Sequence, residues 1–161
     1  MTRLLALDVG EVRIGVAVSD ATGFLASPYT TLQTSRHEEQ TWEAIQELIR
    51  ETDAEGLVVG LPISLDGQIH AQGQRVQGFA ARLQPHISIP LIFWDERLST
   101  VEAQRLLAQR SENEGGKRQR RVGQRRTQSK RRQRGQQIDA LAAAVFLQDY
   151  LDSLGSKTED R

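Results

Sequence analysis

The chain has 161 residues, 38% of them hydrophobic and 26% charged, which suits one globular domain with a sizeable core. It has no cysteine, so disulfides and thiolate metal sites are excluded, and His37, His70 and His86 lack the spacing of a structural zinc site. The formal net charge of zero hides an asymmetry: ten Lys or Arg and no acid fall between Lys117 and Arg134, which leaves eleven basic residues against 21 acidic ones elsewhere.

The opening residues have no signal-peptide pattern, and no apolar run approaches the ~18–20 residues that span a bilayer. A cytoplasmic location without membrane contact is therefore expected. In chain order, "LLALDVG" and "RIGVAVSD" read as two strands of a hairpin, and Ala26 to Leu32 as a third strand rich in Thr and Tyr. Ser35 followed by Glu38 has the form of a capping box, and Trp42, Ile45, Leu48 and Ile49 share one face of the helix after it. "GLVVGLP" is a short apolar strand stopped by Pro62, followed by a turn at Asp66-Gly67. Val76, Phe79, Ala80 and Leu83 repeat at helical spacing within residues 70–83, and "IPLIFWDE" is a last strand ending on Asp95 and Glu96.

Ser99 and Glu102 form a second capping box, ahead of a helix in which Ser99 and Thr100 act as caps. Residues 111–136 are low in complexity, rich in Arg, Gln and Gly, and read as a mobile basic loop. A closing helix carries Ile138, Leu141, Ala142 and Val145 as its apolar face, and the tail from 154 to 161 reads as frayed. The order implies a mixed central sheet, a three-strand antiparallel meander plus two parallel strands, flanked by helices in a single domain over 1–153.

Three acids stand where apolar packing alone would not place them. Asp8 ends the first strand, Glu96 ends the last, and Asp139 lies in the first turn of the closing helix above Ala142, Ala143 and Phe146. Each has an ordinary reading: a turn residue before Gly10, a partner for a surface cation such as Arg97, and an acid favoured by the helix dipole. Together they read as a site, because strand ends in such sheets are where sites assemble, and clustered carboxylates call for a hard divalent cation such as Mg²⁺ or Mn²⁺. Asp95 alternates away from Glu96 and reads as structural; Trp94 reads as core.

The basic run consists of Lys117, Arg118, Arg120, Arg121, Arg125, Arg126, Lys130, Arg131, Arg132 and Arg134. Such a run is either a solvated segment or a contact surface for a phosphate backbone, and it can be both if it orders on binding. Arg13 and Arg97 adjoin the acids and read either as salt-bridge partners or as phosphate contacts. A carboxylate cluster beside a phosphate-binding surface suits metal-assisted phosphodiester hydrolysis.

Four motifs, "ALDVGEVRIGVAVSD", "VVGLPISLDGQ", "FWDERLSTVEAQRLL" and "IDALAAAVFLQDYL", resemble in order those of the YqgF (RuvX) family, covering most of residues 1–152. The resemblance implies a ribonuclease H-like fold and an acidic triad of Asp8, Glu96 and Asp139, matching the acids singled out above. The family is described as Holliday junction resolvases and as nucleases that process the 5′ end of pre-16S ribosomal RNA. The resemblance thus implies a metal-dependent nuclease of rRNA processing, acting as a monomer or homodimer. Its alternatives are a DNA junction resolvase and a non-catalytic RNA-binding assembly factor. Two features depart from the family pattern: Val12 stands where a lysine is common, and the basic stretch before Asp139 is longer than usual. The first motif also resembles the phosphate loop of actin-like sugar kinases, but this chain is too short for their duplicated halves.

Overall fold

In a computed structural model, residues 2–64, 66–95 and 127–156 are described. The hairpin forms as β1 (Leu4–Val9) and β2 (Arg13–Ser19), and β3 (Ala26–Gln33) completes an antiparallel meander. Helix α1 (Glu38–Thr52) leads to β4 (Gly56–Leu61), which pairs parallel to β1. Helix α2 (Ala71–Leu83) leads to β5 (Leu91–Asp95), parallel to β4. The long helix α3 (Thr127–Ser156) closes the described chain. The sheet order is β3-β2-β1-β4-β5, the expected meander plus two parallel strands.

Central strands covered on both faces need near-continuous apolar runs, and β4 is buried at every position. Its neighbour β1 is buried everywhere except at Asp8. On one face Leu5, Leu7 and Val9 join Ile14, Val16, Leu57 and Val59 beneath α1 and α2, which contribute Trp42, Ile45, Leu48, Val76, Phe79 and Leu83. On the other face Leu4, Ala6, Ala17 and Val58 meet Ala143, Ala144, Phe146, Leu147 and Leu151 of α3. Four of these nine residues are alanines, two on each side, which lets α3 lie close to the sheet.

Several expectations need correction. Residues 127–136 are the start of α3 and not loop, because Arg, Gln and Lys are good helix formers and no proline interrupts them. Asp139 is consequently about three turns inside the helix, beyond the reach of its N-terminal dipole. The buried face of α3 is centred on Ala140, Ala143, Ala144, Leu147 and Leu151, whereas Ile138 is 42% exposed. Of the expected apolar face Val145 is buried and Leu141 and Ala142 are half-buried, while Phe146, outside that expected face, joins the core. The helix continues through Gly155 to Ser156, into the span expected to fray, and residues 157–161 lie outside the described residues.

The first capping box does not form. Ser35 lies outside α1 and its hydroxyl takes the His37 N–H and bonds Gln40, while Glu38 pairs with Arg82. The second capping box, with Ser99 and Thr100, lies outside the described residues. Trp94 packs on the α3 side, edge-on to Tyr150, as a core residue would.

Candidate functional site

Side chains alternate along a strand, so Asp8 shares its face with Leu4 and Ala6, the face that α3 covers. In β2 the residues on that face are Arg13, Gly15 and Ala17, and Gly15 stands opposite Asp8 in the ladder. A Cβ at Gly15 would fall 2.0 Å from the Asp139 carbonyl oxygen and 2.2 Å from its carbonyl carbon. Gly15 is therefore a point of close backbone contact between the sheet and α3, and the residue it meets is Asp139. A glycine inside a strand commonly marks such a close backbone approach. "RIGVAVS" carries that signal, which a reading of the acids alone passes over.

The helix thus brings Asp139 to the strand position beside Asp8. Their charges interact: the Asp8 carboxyl is pushed up to about 6, first by burial and then by the negative charge of Asp139. Arg13 answers that charge, its Nε donating to Asp139 Oδ2 at 2.8 Å with both side chains about a third exposed or less. Asp8, Asp139 and Arg13 therefore form one cluster at the end of β1, on the α3 side of the sheet.

β1, β4 and β5 run parallel, so their C-terminal ends share one sheet edge. Asp95 pairs in register with Leu61, which belongs to the α1–α2 core, so it lies on that side of the sheet. Glu96 is the next residue, and both it and Arg97 lie outside the described residues, as do Lys117, Arg118, Arg120, Arg121, Arg125 and Arg126. Lys130, Arg131, Arg132 and Arg134 fall on the first turns of α3, on the same helix as Asp139. Val12, where the lysine is missing, is 63% exposed in the β1–β2 turn.

The turn after β4 forms as expected, with Gly67 at φ 79° and its N–H donating to the Ser64 carbonyl. Glu11 pairs with Arg75, tying the β1–β2 turn to α2. Among the described residues no group of three or more His, Asp or Glu side chains is arranged to hold a metal ion. The two carboxylates nonetheless suit one chemically. Both are hard oxygen donors, and the charge of Asp139 adds to the cost of ionising the buried Asp8, a cost that a divalent cation removes. Among the described residues no helix is long and apolar enough to cross a membrane.

The family model described as "RuvX: Holliday junction resolvase" matches residues 2–153. A protein of Thermoanaerobacter pseudethanolicus named "Putative pre-16S rRNA nuclease" is 39% identical over 155 residues, spanning 96% of this chain and 99% of that protein. A protein of the same name from Roseiflexus sp. is 42% identical over 151 residues, 94% of each chain. Among solved structures, Thermus thermophilus RuvC in complex with a Holliday junction substrate superposes with a TM-score of 0.55 at 13% identity, covering 97% of this chain and 98% of that one. A second Thermus thermophilus RuvC structure gives 0.53 at 12% identity, over 95% of this chain and 96% of the other. These likenesses establish the ribonuclease H-like fold.

Proposed function

The chain belongs to the RuvX family and is a nuclease by that membership, and we propose that it cleaves the 5′ region of pre-16S ribosomal RNA with a divalent cation held by Asp8, Glu96 and Asp139. The observation that carries this reading is the meeting of Asp8 and Asp139 across the β1–α3 contact, where burial and then the charge of Asp139 make the ionised Asp8 costly, a cost that a purely structural acid has no reason to bear. Mg²⁺ or Mn²⁺ bound there would supply an activated water and stabilise the leaving oxygen. The chain's own groups do the rest. Asp8 and Asp139 present oxygens from two rigid elements, and Arg13 holds Asp139 in place. Arg97 and the basic residues from Lys117 to Arg134 contact the phosphate backbone without reading sequence. The protein works in the cytoplasm, where its substrate is made.

The RNA assignment follows the names of the full-length relatives, and the family description favours a second reading, a four-way DNA junction. Cutting a junction symmetrically requires a homodimer, whereas trimming an rRNA end does not. One assay separates them. The protein with Mg²⁺ or Mn²⁺ is offered a pre-16S leader fragment, unstructured RNA and a four-way junction, with Asp8→Asn and Asp139→Asn as controls. Cleavage of the leader that both substitutions abolish is the expected result. Cleavage surviving in both variants refutes the carboxylate site, and binding without cleavage of any substrate supports a non-catalytic assembly factor instead.

A further inference from the structure

Glycine is the least favourable helix residue after proline, yet Gly135 sits inside α3. It lies one turn before Asp139, and residues four apart share a helix face. A Cβ there would fall 2.7 Å from Arg13 Nη2, 2.9 Å from Cζ and 3.0 Å from Nη1. Contact with all three atoms means that the guanidinium lies against the helix backbone at that position. From there its Nε reaches Asp139 Oδ2 at 2.8 Å. The spacing matches on both sides. Arg13 and Gly15 are two residues apart on β2, a step of roughly 6.5 Å, close to the rise of one turn between Gly135 and Asp139. Gly15 admits the helix at Asp139, and Gly135 admits the arginine beside it.

We propose that Gly135 is a positioning residue: it makes the slot in which Arg13 holds one oxygen of Asp139, so that the other is presented toward Asp8 for the cation. The proposal rests on the carboxylate site described above. Carboxylates that ligate metals are themselves held by hydrogen bonds, and loss of such a partner typically costs about 10–100-fold in metal affinity. A side chain at Gly135 expels the guanidinium and should carry that cost, although it touches neither carboxylate.

The test is a double-mutant cycle on the full chain with Gly135→Ala, Arg13→Ala and the pair, Asp139→Asn serving as reference. Mn²⁺ affinity is measured by calorimetry without nucleic acid, and thermal stability is measured in chelator. Gly135→Ala should weaken Mn²⁺ binding about 10–100-fold, Arg13→Ala similarly, and the pair no further than either alone. Stability supplies a change of sign. Gly135→Ala should lower Tm when Arg13 is present and raise it in the Arg13→Ala background, where only the helix preference for alanine remains. Cleavage by Gly135→Ala should recover at saturating Mn²⁺. Equal weakening by Gly135→Ala with and without Arg13, or Mn²⁺ affinity unchanged, overturns the inference while Asp139→Asn still abolishes binding. Mn²⁺ affinity untouched by Asp139→Asn overturns the site and the inference together.

Discussion

Asp8→Asn should stabilise the metal-free protein. The Asp8 carboxyl stands at about 6 in the fold against an ordinary 3.8, because burial and the charge of Asp139 disfavour its ionised form. A raised carboxylate pKa means that the folded state binds the proton more tightly than the unfolded chain. Stability is therefore highest below the unfolded value and falls as pH rises through 4 to 6, levelling off above the folded value. The shift is about two units, and at 1.36 kcal/mol per unit the ionised acid costs on the order of 3 kcal/mol at neutral pH. Asparagine keeps the shape without the charge and removes that cost. Urea unfolding in EDTA at pH 7.5 and pH 4 measures it: the variant should exceed the wild type at pH 7.5 by roughly 1–3 kcal/mol, and the two should converge at pH 4. Asp20→Asn provides a control of opposite sign. The Asp20 carboxyl is held below its ordinary value by the Phe24 and Leu25 N–H groups and Thr22, so its loss should destabilise at neutral pH and matter less in acid. Adding Mg²⁺ should stabilise the wild type and leave Asp8→Asn almost unchanged. Equal stabilities at pH 7.5, or a gap of the same size at pH 4, would refute the claim that Asp8 is an acid held at a cost.

Gly15→Ala drives a methyl into the Asp139 backbone, which no rotamer change can relieve, so α3 must move off the sheet; a loss of about 3 kcal/mol or more in chemical denaturation is expected, together with loss of cleavage. Asp139→Asn should abolish cleavage of the RNA leader while leaving its affinity in a filter-binding assay near wild type, since the substitution removes a negative charge from a phosphate-facing site. Replacing Lys130, Arg131, Arg132 and Arg134 with glutamine should weaken RNA binding and flatten its salt dependence by about 0.7 in log–log slope for each phosphate no longer neutralised. An unchanged slope would remove the start of α3 from the nucleic-acid interface.

What is legible in the sequence follows from which force sets each feature. Strands and their order are legible because burial on both faces demands apolar runs, and "LLAL" and "LVVGL" have no other good home. Asp8 and Asp139 are legible as exceptions to the same rule, the acid that breaks a buried strand and the acid above small residues. The architecture and the motifs lead one to expect them together, but the contact that enforces it is hidden: it depends on Gly15 and Gly135, whose meaning lies in what comes within a few ångströms of them, and that partner is more than a hundred residues away in the chain. Composition misleads at residues 127–136, where a run of like charges resembles a loop although arginine and glutamine favour helix. It misleads again on the buried face of α3. Of the expected stripe Val145 is buried but Ile138 is exposed, and the face against the sheet is made instead by Ala140, Ala143 and Ala144 together with Phe146, Leu147 and Leu151. The constraint on α3 is the close approach that sets Asp139 beside Asp8, and two glycines and a stripe of alanines are how the chain writes it.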